Sequence, residues 1–404
     1  MKYLEKIRRD FPILKEKING HPLIYFDNAA STQKPQVMMN ALQDYYSKHY
    51  ANIHRGVHYL SQWGTEAYEK VRIKIQKYIN AKDPEEIIFT KGTTESINLV
   101  AHSFGSLLKE GDEILISAME HHANIVPWQM LCQRQKTVLK VIPIDPNGEI
   151  VWADFLHLVT AKTKLLAITH LSNALGTVNP IEKMIALAQE KGAKVLIDAA
   201  QSVVHFPLDV QKLNADFLVF SAHKMYGPTG VGVLYAKKEL LNQMPPYQGG
   251  GDMIEKVTFD KTTYNQVPFK FEAGTPNIAD VIAFGASLDY FLDLKLSEIQ
   301  QHEHILLQAL TAGLKQVEGL KIIGNAKEKS SLVSFWIDQI HPYDIGTLLD
   351  QMGIAVRTGH HCAQPIMDFF KISGTVRVSF AFYNTLEEVE IFIKSLQKVL
   401  KMLR

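Results

Sequence analysis

The sequence predicts an α/β protein in which a mainly parallel β-sheet is covered by helices and is followed by a smaller α+β domain. Two observations predict it. Short apolar runs alternate with segments of helical apolar spacing between residues 87 and 236, and this rhythm changes after residue 278. A length of 404 residues fits two domains or one large one. We expect a large domain over residues 21–278 and a small domain over 279–404, with residues 1–20 on the small domain or at the seam.

Seven apolar runs are the predicted strands of the large sheet, at residues 87–90, 113–117, 138–144, 165–170, 195–198, 217–221 and 231–236. Only residues 222–230 separate the last two runs. A parallel crossover needs about a dozen residues or more. Run 231–236 is therefore predicted to lie antiparallel to run 217–221, or not to be its direct neighbour.

The remaining chain has a different pattern. Residues 245–274, with three consecutive glycines, predict a hairpin or a long functional loop. Beyond them the sequence predicts one long helix over about 279–317, three strands at 320–323, 332–336 and 375–379, and a final helix over about 386–403. A first helix is predicted at residues 3–9, on the small domain or at the seam.

The composition excludes several classes of protein. A hydrophobic fraction of 46% with 21% charged residues is typical of globular proteins. A net charge of +1 provides no strong field for nucleic acid or an anionic membrane. No apolar run approaches the ~18 residues of a membrane helix, and the first residues lack the apolar core of a secretory signal. Two cysteines make no disulfide framework, so we expect a reducing, cytoplasmic setting.

The usual nucleotide-binding fingerprints are absent, but three strand ends carry polar groups. The segment TKGTTES (90–96) is either an anion site at a helix N-terminus or a plain helix cap. Asp198 ends an apolar run, where it either needs a cationic partner or caps a helix. Lys224 follows the run at 217–221 on a short turn, either as a desolvated nucleophile or as a lysine that points to water.

Together the three strand ends form a pattern that none of them forms alone. A phosphate cradle, a buried aspartate and a buried lysine are what pyridoxal 5′-phosphate (PLP) requires, because the aspartate keeps the pyridine nitrogen protonated and the lysine holds the aldehyde. Asp198 and Lys224 are separated by one crossover and one strand. They can therefore emerge from neighbouring strands at the same edge of the sheet.

Longer motifs make a family resemblance specific. They are YFDNAASTQKP (25–35), NIHRGVHYLS (52–61), TKGTTESIN (90–98), MEHHANIVPWQ (119–129), HLSNALGTVNP (170–180), DAAQSVVH (198–205), SAHKMYGPTGVGVLY (221–235), PPYQGGGDMI (245–254), FEAGTPN (271–277) and RTGHHCAQP (357–365). The chain resembles a fold-type-I PLP enzyme, and more narrowly a cysteine desulfurase of the SufS kind, a group that includes selenocysteine lyase-like enzymes.

The resemblance implies a role for each matching residue around the cofactor. Lys224 is the Schiff-base lysine, Asp198 pairs with the pyridinium nitrogen, and His121 stacks on the ring and is the candidate acid/base. Gln201 and Asn173 hydrogen-bond the phenolic oxygen or the nearby substrate, while Thr94, Ser221 and His223 bind the phosphate. Thr275 reaches the phosphate of the other subunit in a homodimer.

The resemblance also implies a substrate site. Arg377 grips the substrate carboxylate, a task suited to a bidentate guanidinium, and Arg357 assists it. His54 and Arg55 line the substrate entrance, unless they lie on an ordinary solvated loop.

Cys362 distinguishes a desulfurase from other enzymes of this fold. Its loop carries Arg357, His360 and His361, whose positive charge favours the reactive thiolate. The HHC triplet could instead hold a metal, but no CxxC or HxxxH accompanies it, and we predict no metal site. Cys132 is predicted to be an ordinary small core residue.

The resemblance implies conversion of L-cysteine to L-alanine, with the sulfur passed to Cys362 as a persulfide for iron–sulfur cluster assembly. It also implies a sulfur-acceptor protein of the SufE-like or SufU-like type. Three alternatives stay open. A selenocysteine lyase would take L-selenocysteine and release selenide, an aminotransferase would leave Cys362 without a task, and a cofactor-loaded sulfur-carrier scaffold would turn over little free L-cysteine.

Overall fold

A computed structural model describes residues 6–404 of the chain. The strands are β1 (Lys17–Ile18), β2 (His21–Pro22), β3 (Ile24–Tyr25), β4 (Ile87–Thr90), β5 (Glu113–Ser117), β6 (Val138–Ile142), β7 (Thr163–Thr169), β8 (Lys194–Asp198), β9 (Phe217–Ser221), β10 (Gly232–Ala236), β11 (Ile254–Val257), β12 (Thr262–Tyr264), β13 (Leu320–Ile323), β14 (Leu332–Ile337), β15 (Ile354–Ala355), β16 (Arg357–Gly359) and β17 (Thr375–Ser379).

The α-helices with fully described bounds are Gln36–Asp44, Tyr59–Tyr78, Thr93–Ser103, Val126–Gln135, Trp152–Leu158, Ile181–Glu190, Val210–Leu213, Lys238–Gln243, Ile278–Leu292, Leu296–Lys315, Pro342–Asp350, Gln364–Phe370 and Leu386–Leu403. The predicted first helix lies partly outside the described residues, of which 6–8 are helical. No helix within residues 6–404 is long and apolar enough to cross a membrane.

The large sheet has seven strands in the order β4-β10-β9-β8-β7-β5-β6. Strand β10 pairs antiparallel with both of its neighbours, and the other pairs are parallel. The predicted α/β class, the mainly parallel seven-stranded sheet and the reversed direction of run 231–236 are confirmed. The turn between β9 and β10 is too short for a parallel crossover, so β10 must return in the opposite direction.

Successive side chains of the large sheet enter two separate cores, one on each face. In β8, Val195 and Ile197 join one buried cluster, and Leu196 joins the other. Strand β5 alternates in the same way. A strand that is buried on both faces reads as a continuous apolar run, which is why these strands were predictable.

A second, four-stranded antiparallel sheet follows in the order β13-β14-β17-β16. Its apolar side chains pack with the last helix, as Val333, Val376 and Phe392 do in one buried cluster. Strand β16 is absent from the sequence prediction because Arg-Thr-Gly has no apolar alternation. It is held in the sheet by pairing with β17, and it leads directly into the segment that carries Cys362.

The single long helix predicted over 279–317 is wrong. The chain forms two helices, Ile278–Leu292 and Leu296–Lys315, because Lys295 has extended backbone angles (φ −81°, ψ 105°). Phe284 and Leu288 of the first helix pack in the core of the large sheet, whereas Leu306 and Leu310 of the second pack in the core of the small sheet. One straight helix could not bury apolar side chains in both of these cores. The predicted boundary at residues 278 and 279 stays a prediction.

The N-terminal segment contacts residues that follow strands of both sheets. Phe11 lies between Tyr226 and Tyr383, with ring centroids 6.1 and 4.8 Å away. Strand β3 pairs in parallel with β15. The N-terminal segment therefore packs between the two sheets. The interruption predicted at 245–274 contains a hairpin, β11–β12.

Candidate active site

Five strands of the large sheet direct their carboxyl ends toward one cavity of about 200 Å³, and Arg357, Cys362 and Arg377 form another part of its wall. Parallel strands bring distant chain segments to one edge in this way. The sequence-predicted residues that line the cavity are Thr94, His121, Asn173, Asp198, Gln201, Ser221, His223, Lys224, Arg357, Cys362 and Arg377.

Lys224 ends the short turn Ala222–Lys224 directly after β9. Burial lowers the pKa of its ammonium group to about 8; the charge of Asp198 opposes this effect, and that of Arg377 adds to it. Two residues of another segment fix this turn. The carbonyl oxygen of His223 accepts hydrogen bonds from Lys34 Nζ at 2.8 Å and from the Thr32 N–H at 3.1 Å. A substantial fraction of Lys224 is therefore a neutral, nucleophilic amine near pH 8.

Asp198 is the last residue of β8, and β9 lies next to it in the sheet. Its carboxylate is buried, and burial raises its pKa; the hydrogen bond from the Ala200 N–H (2.9 Å) and the charge of Lys224 act in the opposite direction. A buried carboxylate at a cavity wall favours a cationic ligand, because the charge it places there is otherwise poorly compensated. Asp198 and Lys224 thus share one edge, as the sequence predicts.

The helix Thr93–Ser103 directs its N-terminus at the same cavity. Ser221 Oγ accepts a hydrogen bond from the Thr93 N–H at 2.8 Å, which joins β9 to this helix. Gly232 on β10 makes the approach possible, since a Cβ there would lie 2.3 Å from the Cα of Gly92. Free N–H groups and the positive end of the helix dipole make this end, with Thr94, suited to a phosphate.

His121 stands on the turn after β5. Its Nδ1 accepts a hydrogen bond from the Ala123 N–H at 3.0 Å, so the ring proton is on Nε2. Burial, and then the charge of Lys224, lower the pKa of the ring to about 3. His121 is therefore neutral at physiological pH and can donate its Nε2 proton or stack on a flat ring.

Asp27 is a site residue that the sequence analysis missed. Its Oδ1 accepts a hydrogen bond from Arg377 Nη2 at 3.0 Å, and Arg357 lies 3.8 Å from its other oxygen. Arg377 also donates to the carbonyl oxygen of Asn173 at 2.9 Å, while its buried Nε has no hydrogen-bond partner among residues 6–404. The signal that could have identified Asp27 as a site residue is its place in the motif YFDNAAS, where it is the one acidic residue.

Cys362 is exposed and lines the cavity on a turn between β16 and the helix Gln364–Phe370. His361, before it, is buried, with its Nε2 2.7 Å from Thr375 Oγ1. Cys132 is half-buried on the helix Val126–Gln135, with its sulfur 3.3 Å from Thr137 Oγ1. Cys132 is therefore only half-buried, whereas the sequence predicted a core residue. It lies away from the cavity.

Three predicted site residues lie outside this cavity. His54 Nε2 is 3.1 Å from Glu69, and Arg55 pairs with Asp252 at 2.7 Å. Thr275 lines a separate cavity of about 440 Å³. The role predicted for Thr275 involves a second copy of the chain, and all three roles stay predictions. Among the described residues, no three His, Cys, Asp or Glu side chains form a group that could hold a metal ion.

Comparison with known proteins gives a consistent family. The cysteine desulfurase of Synechococcus elongatus is 50% identical over 397 residues, which cover 98% of this chain and 63% of that protein. The cysteine desulfurase of Shigella flexneri is 49% identical over 402 residues, 99% of each chain. This chain thus spans less than two thirds of the first relative and nearly the whole of the second.

Solved structures agree with the sequence comparison. The apo structure of a cysteine desulfurase from Thermococcus onnurineus NA1 has a TM-score of 0.94 and 41% identity, covering 98% of both chains. The sequence pattern of the aminotransferase class-V family matches residues 24–392. This match spans both sheets and every residue of the cavity. The chain therefore belongs to the aminotransferase class-V family.

Proposed function

We propose that this protein is a PLP-dependent cysteine desulfurase, which converts L-cysteine to L-alanine and takes the sulfur on Cys362. The observation that carries the proposal is that one cavity combines an exposed thiol, Cys362, with the amine of Lys224 and the buried carboxylate of Asp198. A transaminase would need the lysine and the aspartate but not the thiol. The names of the relatives support the same activity.

The residues present fit PLP. Asp198 is a buried carboxylate whose charge a protonated pyridine nitrogen would compensate. Lys224 would hold the aldehyde carbon, and the helix N-terminus at Thr93, with Thr94, Ser221 and His223, would hold the phosphate. When bound, PLP supplies an electron sink for the carbanion that forms on loss of the Cα proton.

Side chains of the protein itself bind the substrate and move its protons. Arg377 offers a buried guanidinium to the substrate carboxylate, oriented by Asp27. Lys224, released by the substrate amine, can take the Cα proton because its lowered pKa leaves much of it neutral near pH 8. Neutral His121 carries its proton on Nε2 and would therefore act on the reacting sulfur as a hydrogen-bond and proton donor.

Sulfur transfer then uses Cys362. Its thiolate attacks the substrate sulfur, a sulfur–sulfur bond forms and the carbon–sulfur bond breaks. The electron pair of the broken bond stays with the carbon fragment, which takes up protons to become alanine. The persulfide on Cys362 supplies sulfur to an acceptor protein of the SufE-like or SufU-like type for iron–sulfur cluster assembly, as in a SufS-type enzyme. The exposure of Cys362 supports access by such an acceptor.

We also propose a homodimer. Thr275, His54 and Arg55 match motifs of the family but lie outside the cavity of their own chain. A second copy would bring such residues to the neighbour's cavity. Sedimentation together with an activity assay tests this, and a fully active monomer would contradict it.

The experiment that tests the function compares two cysteine variants exposed briefly to L-cysteine. The wild type and Cys132→Ala should produce alanine and gain one sulfur on the peptide that contains Cys362, as read by mass spectrometry. Cys362→Ala should lose the added sulfur, and alanine production should fall about 100-fold or more, as for the loss of a catalytic group. Normal alanine yield from Cys362→Ala would instead favour a lyase that releases its chalcogen without a protein nucleophile.

A further inference from the structure

The turn that carries Cys362 has a backbone conformation that side chains rarely adopt. His361 and Cys362 both have positive φ angles, 53° and 54°. A residue with a Cβ adopts this left-handed region only at a cost in conformational energy. Such strain persists only where surrounding contacts fix the conformation, and it concentrates at functional sites.

The contacts that fix this turn come from several segments. The carbonyl oxygen of His361 accepts a hydrogen bond from Asn173 Nδ2 at 2.6 Å, and the Ala363 N–H donates to His360 within the turn. His361 Nε2 lies 2.7 Å from Thr375 Oγ1. Of the Cys362–Ala363 peptide group, these contacts engage the N–H but not the carbonyl oxygen.

His122 holds that peptide group. Its backbone N–H donates to the carbonyl oxygen of Cys362 at 2.7 Å, and its side-chain Nε2 accepts a hydrogen bond from the N–H of Gln364 at 3.0 Å. His122 thus contacts the chain on either side of Ala363, at Cys362 and at Gln364. Because Nε2 accepts here, the ring must be neutral with its proton on Nδ1.

His122 directly follows His121 on the turn after β5. The same residue therefore joins the segment of the proposed acid/base to the segment of the proposed nucleophile, which lies 242 positions away from it at Gln364. His121 and Cys362 must act on one sulfur atom, and small errors in such geometry reduce rates strongly.

We propose that His122 is a positioning residue that fixes the Cys362 turn relative to His121 through its Nε2 contact with the Gln364 N–H. This inference deepens the proposed function and rests on it for the sulfur-transfer step. The His122 side chain touches neither substrate nor cofactor in this role. The backbone contact from its N–H remains in every variant, so substitution of the side chain removes the Nε2 contact alone.

Two variants of similar polarity form a matched pair. In His122→Gln the side-chain oxygen can reach the former position of Nε2 and accept from Gln364. In His122→Asn the shorter amide reaches only as far as Nδ1 and leaves the Gln364 N–H without its acceptor. Both are polar residues at a half-buried position, so a general loss of folding does not separate them.

The first measurement is hydrogen exchange of the peptide spanning residues 360–366 in the PLP-loaded protein without L-cysteine. We expect exchange about three- to tenfold faster in His122→Asn than in the wild type, and near wild-type exchange in His122→Gln, in line with the net worth of one hydrogen bond. Equal exchange in His122→Asn and the wild type would overturn the positioning role.

The second measurement is persulfide formation on Cys362 in a single turnover, with KM for L-cysteine measured alongside. His122→Asn should slow formation about three- to tenfold with little change in KM, and His122→Gln should restore it. A slowed His122→Asn that His122→Gln does not restore would overturn the proposal. If no protein, including the wild type, forms a persulfide, the proposed function fails, while the exchange result still decides the positioning role.

Discussion

At the scale of single residues, burial and charge act against each other at Lys224. Burial lowers the pKa of its ammonium group to about 8, although neighbouring Asp198 favours the charged form. A free lysine in water has a pKa near 10.4 and is almost fully charged at neutral pH. The cavity thus favours the neutral amine of Lys224, whereas an ordinary surface lysine stays a cation.

The proposed base predicts a pH profile. In the holoenzyme, kcat for alanine formation should rise as the pH increases from 7 through about 8, because deprotonation of Lys224 creates the neutral amine.

Lys224→Ala should abolish the PLP absorbance of the Schiff base and the turnover, with the circular dichroism spectrum unchanged. The exposed Lys109→Ala is the control and should behave as the wild type in both assays. Turnover retained in Lys224→Ala would refute the assignment.

At the scale of elements, the anion site depends on how closely one helix approaches two strands. The N-terminus of helix Thr93–Ser103 is tied to Ser221 on β9, and Gly92 lies against Gly232 on β10. No side chain larger than hydrogen fits at Gly232. The position of the predicted phosphate cradle is therefore set by a backbone contact between the helix and the sheet.

Gly232→Ala tests this contact. The added Cβ would lie 2.3–2.6 Å from backbone atoms of Gly92, so the helix N-terminus must shift. We expect a loss of about 1–3 kcal/mol in the free energy of unfolding, as for overpacking, together with reduced PLP retention per chain. Gly249→Ala is the matched control, because nothing lies within 4 Å of its Cβ position. Equal PLP retention in the two variants would show that the approach is not required.

At the scale of the whole molecule, one buried arginine joins segments that are distant in sequence. Arg72, 1% exposed, contacts Glu69 at 2.7 Å and Glu272 at 2.7 Å. Glu69 also binds His54, and Glu272 precedes the segment that contains Thr275. The network therefore links His54 and the helix Tyr59–Tyr78 to the segment that leads to Thr275.

Arg72→Met should destabilise the fold, because it leaves Glu272 buried without its cation. We expect a loss of about 3–5 kcal/mol in the free energy of unfolding, measured by urea titration. Lys70→Met removes an exposed ion pair with Glu66 on the same helix and should leave the free energy of unfolding close to that of the wild type, because solvent screens such pairs. Similar losses in the two variants would contradict the structural weight given to the buried network.

Lys329 links two distant segments of the chain and predicts a pH effect on stability. Lys329 donates to the carbonyl oxygen of Leu175 at 2.7 Å, and burial lowers its pKa to about 7. The unfolded chain keeps this proton up to a pH near 10.4, so between about 7 and 10 the unfolded state binds more protons and stability rises with pH.

Lys329→Met should flatten that rise in the free energy of unfolding between pH 7 and 10, whereas the exposed Lys327→Met should retain it. Urea titrations at pH 7, 8.5 and 10 measure the difference. An unchanged slope in Lys329→Met would mean that its proton is not linked to folding.

The sequence by itself determined the seven strands of the large sheet and predicted which polar residues lie at their carboxyl ends. Strands buried on both faces read as apolar runs, and parallel strands share an edge, so Asp198 and Lys224 could be brought together without coordinates. Only the tertiary structure decided the rest. Asp27 meets Arg377 across 350 positions, His122 holds the Cys362 turn, and the helix predicted over 279–317 breaks to enter two cores. Such contacts depend on how whole elements pack against each other, and no local sequence pattern encodes them.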